Sequence, residues 1–106
     1  MVKASAATPE KSATEKARIL VVDDHAVVRQ GLIQLINREP DLTVCADAET
    51  AIEALKLIAQ TKPDVAIVDV SLKEDSGLEL VKDIRIRYPK LAVLVLSMHD
   101  EMFYAE

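Results

Sequence analysis

Four short runs of aliphatic residues, each bounded by charged or turn residues, alternate along this chain with segments whose apolar positions recur three and four residues apart. The runs are Arg18-Ile19-Leu20-Val21-Val22, a weaker one from Leu42 to Ala46, Val65-Ala66-Ile67-Val68, and Leu91 to Leu96. Unbroken β-branched and aliphatic runs of this length predict strands buried on both faces, as in a parallel sheet. Between them the helical spacing predicts three helices. The first runs from about Ala26 to Arg38, with Val28, Leu32, Leu35 and Ile36 on its apolar stripe, and Pro40 closes it. The second begins at Thr50, where Thr50-Ala51-Ile52-Glu53 matches a capping box and Ala51, Leu55, Ile58 and Ala59 form the stripe. The third opens at a second such match, Ser76-Gly77-Leu78-Glu79, carries Leu80, Val81, Ile84 and Tyr88 on one side and ends at Pro89. A fourth helix is expected from about Asp100.

Strands alternating with helices predict an α/β fold with a doubly wound, parallel sheet and right-handed crossovers. Residues 1–16, from Met1 to Lys16, hold almost no large apolar residue and read as a disordered N-terminal tail; residues 17–106 form the folded part. At 106 residues there is room for one domain. Half of the residues are hydrophobic, yet the aromatics are only Tyr88, Phe103 and Tyr104, so the core is expected to be aliphatic. The net charge of -5 and the lack of clustered Lys and Arg argue against direct nucleic-acid binding. Cys45 stands alone in an apolar segment and is expected to be a small buried hydrophobe, which leaves no disulfide framework. With no stretch resembling a membrane span or a secretory leader, a cytoplasmic protein is expected.

The candidate chemistry lies where the strands end. Asp23 and Asp24 close the first run and Asp69 closes the third. In an open α/β sheet, ligands bind at the carboxyl ends of the strands, so neighbouring strands would bring three carboxylates to that edge. Their mutual repulsion calls for a raised pKa on one of them or for a hard, oxygen-seeking cation such as Mg²⁺. Asp24, directly before a helix, reads equally well as an N-cap. Asp69 is followed by Val70-Ser71-Leu72 rather than by a helix, and with Asp23 it favours a site. His25 is expected to be a loop or first-turn residue, because Mg²⁺ prefers oxygen.

Four segments together resemble the response-regulator receiver domain, specifically its NarL/FixJ-like class. They are Ile19-Leu20-Val21-Val22-Asp23-Asp24-His25, Pro63-Asp64-Val65-Ala66-Ile67-Val68-Asp69, Ser76-Gly77-Leu78-Glu79-Leu80 and Val93-Leu94-Val95-Leu96-Ser97-Met98-His99-Asp100. The resemblance covers about residues 18–106. It implies the flavodoxin-like receiver fold and a role in two-component signal transduction, with Asp69 accepting a phosphoryl group from a sensor histidine kinase. It also implies that Asp23 and Asp24 hold Mg²⁺ together with Asp69 and the backbone carbonyl of Ser71. Ser97 then matches the switch hydroxyl that bonds the phosphoryl group, while Ser71 and His99 match variable positions linked to the lifetime of the phosphorylated state. The domain so implied is a phosphoacceptor, capable at most of self-catalysed phosphotransfer, rather than an enzyme.

The departures from the family are as informative. Receivers carry a fifth strand with a lysine that contacts the phosphoryl group, then a switch aromatic and a fifth helix, whereas this sequence ends at Glu106. It corresponds to four of five βα units, it lacks the helix-turn-helix module, and Lys73 stands where many relatives have proline. An incomplete sheet would leave Leu91 to Leu96 as an unpaired apolar edge. If about five aliphatic side chains lost burial at roughly 1.5 to 3 kcal/mol each, the loss of about 7 to 15 kcal/mol would match a whole domain's stability. A homo-oligomer formed through that exposed fourth strand, or by swapping elements, is therefore expected, or else a fragment of a longer protein. The alternative to phosphoacceptance is a non-catalytic protein-interaction module. A phosphatase with an aspartate nucleophile is disfavoured because Ser71, not Asp, stands two residues beyond Asp69; a flavin site would need a Ser, Thr and Gly-rich loop where Asp23-Asp24-His25-Ala26 stands.

Overall fold

The strands of the protein join a single sheet, described here from a computed structural model in which residues 2–4, 15–70 and 77–96 are defined. In chain order the elements are β1 (Val2–Ala4), β2 (Ala17–Val22), α1 (Ala26–Asn37), β3 (Leu42–Ala48), α2 (Ala51–Thr61), β4 (Val65–Asp69), α3 (Gly77–Arg87) and β5 (Ala92–Leu96). The sheet order is β1-β5-β4-β2-β3. Strands β3, β2, β4 and β5 run parallel, as the unbroken aliphatic runs require, while β1 lies antiparallel against β5. The fourth helix expected near Asp100 falls outside the described residues.

The core lies between the sheet and the pair α2 and α3. Leu20, Val22, Ala66, Val68 and Val93 project from alternate strand positions into a cluster completed by Ala54, Ile58, Leu80 and Ile84. Each large aliphatic buried there contributes about 1.5 to 3 kcal/mol. The stripe expected on α3 is the one found, and those on α1 and α2 hold at three of four positions each, failing at Leu35 and Ala59. Ala54 is buried on α2 in place of the expected Ala59, which is exposed. On α1, Leu35 is 58% exposed, Val28, Leu32, Ile33 and Ile36 are half-buried, and Arg29 is fully packed. Arg29 is buried beside this stripe because its guanidinium is drawn toward oxygen acceptors at the strand ends. Cys45 is half-buried on β3, its thiol 3.8 Å from the Thr61 hydroxyl.

Side chains fix the helix ends. The Thr50 hydroxyl accepts from the Glu53 amide at 3.1 Å, as the capping box predicts, and the Glu53 carboxylate reaches back to the Glu49 amide. Arg18 donates to the Thr61 and Lys62 carbonyls, satisfying the last turn of α2. Asp64 ties β4 to β2 at the same end, its carboxylate accepting from the Arg18 amide and its own amide donating to the Arg18 carbonyl, both at 2.8 Å.

Residues 1–16 are not wholly the disordered tail that their composition suggests, and the outer edge of β5 is not bare. Val2, Lys3 and Ala4 stand in register with Leu96, Val95 and Leu94. The physical reason is that an unpaired strand edge presents a row of N–H and C=O groups that any extended backbone satisfies, whatever its side chains. Three residues make only a few ladder bonds, at about 0.5 to 1.5 kcal/mol each. Fixing their backbone costs about 1 to 2 kcal/mol per residue, so the docked β1 lies near balance. The opposite edge, β3, is guarded differently. Its pairing with β2 shifts register at Cys45, and the Val44 amide is taken by the Asn37 side chain at 2.9 Å.

Lys62 ends α2 in the left-handed region, at φ 49° and ψ 63°, where a Cβ is unfavourable. Lys62→Gly is expected to raise stability by about 0.5 to 1 kcal/mol in urea unfolding. An unchanged or lowered midpoint would show that the lysine side chain offsets the backbone cost.

Candidate metal centre

The register of β2 with β4 builds this site. Val22 pairs with Val68, so the next residue of each strand, Asp23 and Asp69, emerges at the same carboxyl edge. Both are buried, at 0% and 1% exposure, and the Asp24 side chain beside them is 14% exposed. The Asp23 amide donates to the Ala48 carbonyl at 3.0 Å, anchoring the loop to the end of β3. The Val70 amide donates to the Leu96 carbonyl at 3.1 Å, anchoring the end of β4 to β5.

His25 lies closer to this cluster than its expected role implies. Its backbone does take the N-cap position of α1, with φ -99° and no side-chain cap bond. The N-cap reading of Asp24 is therefore not realised. The imidazole turns back toward the carboxylates, with Nδ1 3.0 Å from Asp23 Oδ1, 3.0 Å from Asp24 Oδ1 and 3.8 Å from Asp69 Oδ2. The His25 amide also donates to Asp23 Oδ1 at 2.8 Å. One atom of each of Asp23, Asp24, His25 and Asp69 falls within a cluster no wider than 4.8 Å.

The residues fit a hard divalent cation. Three carboxylates gather at the carboxyl edge of the strands, where they could supply oxygen ligands, and Asp23 Oδ2 is buried without a hydrogen-bond partner. Such an oxygen is costly unless a cation or donor satisfies it. Three of the four expected metal ligands, Asp23, Asp24 and Asp69, are thus brought together. The fourth, the Ser71 carbonyl, lies outside the described residues, as do Ser97, His99 and Lys73.

Two residues that hold the site in place escape a reading by strand ends. Arg29, buried on α1, donates from Nη1 to the Asp23 carbonyl at 2.8 Å and from Nε to Asp47 Oδ2 at 2.8 Å, with Glu49 3.7 Å away. It pins the backbone of the acidic pair to the end of β3. Its signal in the sequence is a lone cation on a helix face otherwise lined by Val28, Leu32 and Ile36. Gly77 begins α3 directly beneath the carboxyl end of β4. A Cβ there would overlap the Asp69 carbonyl oxygen and the Val70 Cα, so only glycine lets α3 approach this closely.

Comparison with known proteins places these observations in a family. Residues 19–106 match the family described as the response regulator receiver domain. The transcriptional regulatory protein DegU of Brevibacillus brevis is 37% identical over 89 residues, covering 84% of this chain and 38% of that protein. The DNA-binding transcriptional activator DevR/DosR of Mycobacterium tuberculosis is 39% identical, covering 77% of this chain and 38% of that protein. The chain therefore spans about two fifths of the length of these curated relatives. Among solved structures, a LuxR-family two-component response regulator from Aurantimonas sp. superposes with a TM-score of 0.77 at 37% identity, covering 85% of this chain and 65% of that one. The receiver domain of the putative response regulator NarL from Mycobacterium tuberculosis gives 0.70 at 32%, covering 81% and 69%.

Removing either support should disturb the site. Arg29→Ala is expected to cost about 1.5 to 3 kcal/mol, the value of a charge-assisted bond to a buried carbonyl, and Gly77→Ala about 1 to 3 kcal/mol through overpacking. Chemical denaturation checks both. Wild-type midpoints would show that the loop and α3 relax freely around the acidic cluster.

Proposed function

Because the chain belongs to the response regulator receiver family, we infer that it is the phosphoacceptor module of a two-component system, receiving a phosphoryl group on Asp69 from a sensor histidine kinase. The observation that carries this reading is the buried meeting of Asp23 and Asp69, with Asp24 beside them, at the carboxyl edge of the sheet. A structural role alone would not favour gathering carboxylates where water cannot screen them.

Asp23, Asp24 and Asp69, with the Ser71 carbonyl, would hold Mg²⁺, which when bound supplies the positive charge that neutralises and aligns the phosphoryl oxygens. In the transfer itself, a carboxylate oxygen of Asp69 forms a bond to phosphorus as the bond from phosphorus to the donor imidazole nitrogen breaks, and the electron pair stays on that nitrogen. Arg29 positions Asp23, and Gly77 the reacting Asp69, through the backbone. The acyl phosphate carries roughly 1.5 to 2 negative charges where the carboxylate carried one, and presents three acceptor oxygens at the end of β4. Ser97, next in sequence after β5, would donate its hydroxyl to them and so couple modification to a change of surface.

This chemistry is a single self-assisted transfer rather than turnover of a substrate, so the domain is read as a non-enzyme. One relative, a protein-glutamate methylesterase/protein-glutamine glutaminase of Pyrococcus horikoshii, is named as an enzyme, but the match covers only 23% of it. Relatives named as transcriptional regulators suggest that a longer protein would control transcription, with DNA contacted by a part other than this acidic module. A cytoplasmic setting fits the same reading; among the described residues no helix is long and apolar enough to cross a membrane. Homo-oligomerisation through the β5 edge would require displacing β1, which pairs there, or exchanging it between copies.

Intact-mass measurement after incubation with acetyl phosphate and Mg²⁺ tests the central reading. One phosphoryl group is expected on the wild type and none on Asp69→Asn. An unmodified wild type, folded by circular dichroism, would refute phosphoacceptance. A second test concerns the cation. Mg²⁺ at a hundredfold over its Kd is expected to stabilise the wild type by about 2.7 kcal/mol. Asp23→Asn should remove that gain while raising stability without metal, because one buried charge is gone. An equal response of both proteins to Mg²⁺ would place the ion elsewhere.

A further inference from the structure

We propose that His25 is a nitrogen ligand of the acidic site, which gives that site a share of affinity for borderline first-row cations such as Zn²⁺ that Mg²⁺ does not receive. The assignment rests on the reading of Asp23, Asp24 and Asp69 as a divalent-cation site and adds a fourth donor to it. The imidazole Nδ1 stands 3.0 Å from Asp23 Oδ1, 3.0 Å from Asp24 Oδ1 and 3.8 Å from Asp69 Oδ2. Two donors held at roughly 2.0 to 2.2 Å from one ion are roughly 2.8 to 4.4 Å apart, the lower limit for ligands at right angles and the upper for opposed ones. All three separations fall in that window. Hydrogen bonding accounts for only part of the arrangement, because a ring nitrogen carries one proton and here faces three carboxylates. Asp23 Oδ2, on a residue that is 0% exposed, has no hydrogen-bond partner and independently calls for a positive centre.

Local structure holds the ring in this place. The His25 amide donates to Asp23 Oδ1 at 2.8 Å, and the residue takes the N-cap position of α1 in an extended backbone without a side-chain cap bond. Its imidazole is thus left to turn toward the carboxylates. When an ion binds, it takes the place of the Nδ1 proton and the ring keeps its N–H at Nε2; the side chain is 31% exposed, so water can serve as the partner there. Imidazole suits Zn²⁺, Fe²⁺ and Ni²⁺, whereas Mg²⁺ keeps to oxygen. Many nitrogen and oxygen sites hold Zn²⁺ tightly, so the mark of a ligand is Zn²⁺ affinity that disappears with His25 while Mg²⁺ affinity stays.

Calorimetric titration of the whole chain with Mg²⁺ and with Zn²⁺ tests this in the wild type and in His25→Ala. The substitution removes no side-chain cap bond, and circular dichroism checks that the variant is folded. Its Zn²⁺ affinity is expected to fall on the order of tenfold or more, the least that removing even a ligand's own partner costs. Its Mg²⁺ affinity is expected to stay within about threefold, as the ion keeps its oxygen ligands. Excess Mg²⁺ should displace Zn²⁺ from the wild type, which places both ions in one site. In nitrogen-15 spectra of histidine-labelled protein, Zn²⁺ should shift Nδ1 of His25 and leave His99, the second of two histidines, unmoved. Equal Zn²⁺ affinity in the two proteins, or a Zn²⁺ shift at His99 with none at His25 Nδ1, would overturn the proposal and leave the Mg²⁺ site standing. A parallel fall in both affinities would overturn it too, marking His25 as a support for the carboxylates. Binding of neither ion to the folded wild type would overturn the proposal and the cation site together.

Discussion

The in-register parallel pairing of β2 with β4 is the constraint from which the rest of the molecule follows. It places Val22 beside Val68, and since a strand advances about 3.3 Å per residue, Asp23 and Asp69 have nowhere to diverge before they leave the sheet. The same register sends Leu20, Val22, Ala66 and Val68 to one face, where α2 and α3 cover them. A slip of one residue would exchange the faces and separate the carboxylates together. The core and the acidic site are thus two readings of one alignment, and selection on either preserves the other.

Gathering carboxylates in a buried position works against folding, and the surrounding residues show how the cost is contained. Arg29 brings a guanidinium to the carbonyl of Asp23 rather than to its carboxylate, so it steadies the backbone without neutralising the site. Its charge is met by Asp47 and Glu49 on the far side. His25 faces the three aspartates from the loop, where an imidazole N–H can donate to one of them. The site thus keeps its three carboxylates together, its shape fixed by Arg29 and His25.

Much of this was legible in the chain because strands buried on both faces leave an unbroken aliphatic signature. The runs ending at Asp23 and Asp69 identified both the parallel sheet and the edge at which chemistry would lie. Other features were hidden for definable reasons. Helical periodicity reports which residues are apolar, not how the helix is rotated. It could not foresee that Arg29 would be buried on α1 while Leu35 stands in solvent. The strand at Val2–Ala4 has no sequence signature, since its binding uses backbone groups that every residue carries. Gly77 read as part of a capping box; its contact with the Asp69 carbonyl depends on how closely α3 approaches β4, which no local pattern encodes.

The two margins of the sheet are protected by unlike means, and the difference limits what the molecule can become. At β3 the obstruction is built in: a register shift at Cys45 bends the strand, Asn37 occupies the Val44 amide, and Asp47 adds charge. At β5 the cover is a short separate strand. Growth of a fibre by stacking sheets edge to edge requires both margins of every unit, one to receive and one to offer. With one described margin obstructed by its own backbone geometry, edge-to-edge growth of the sheet would lack a receiving strand there, even though β5 on the other side is wholly apolar.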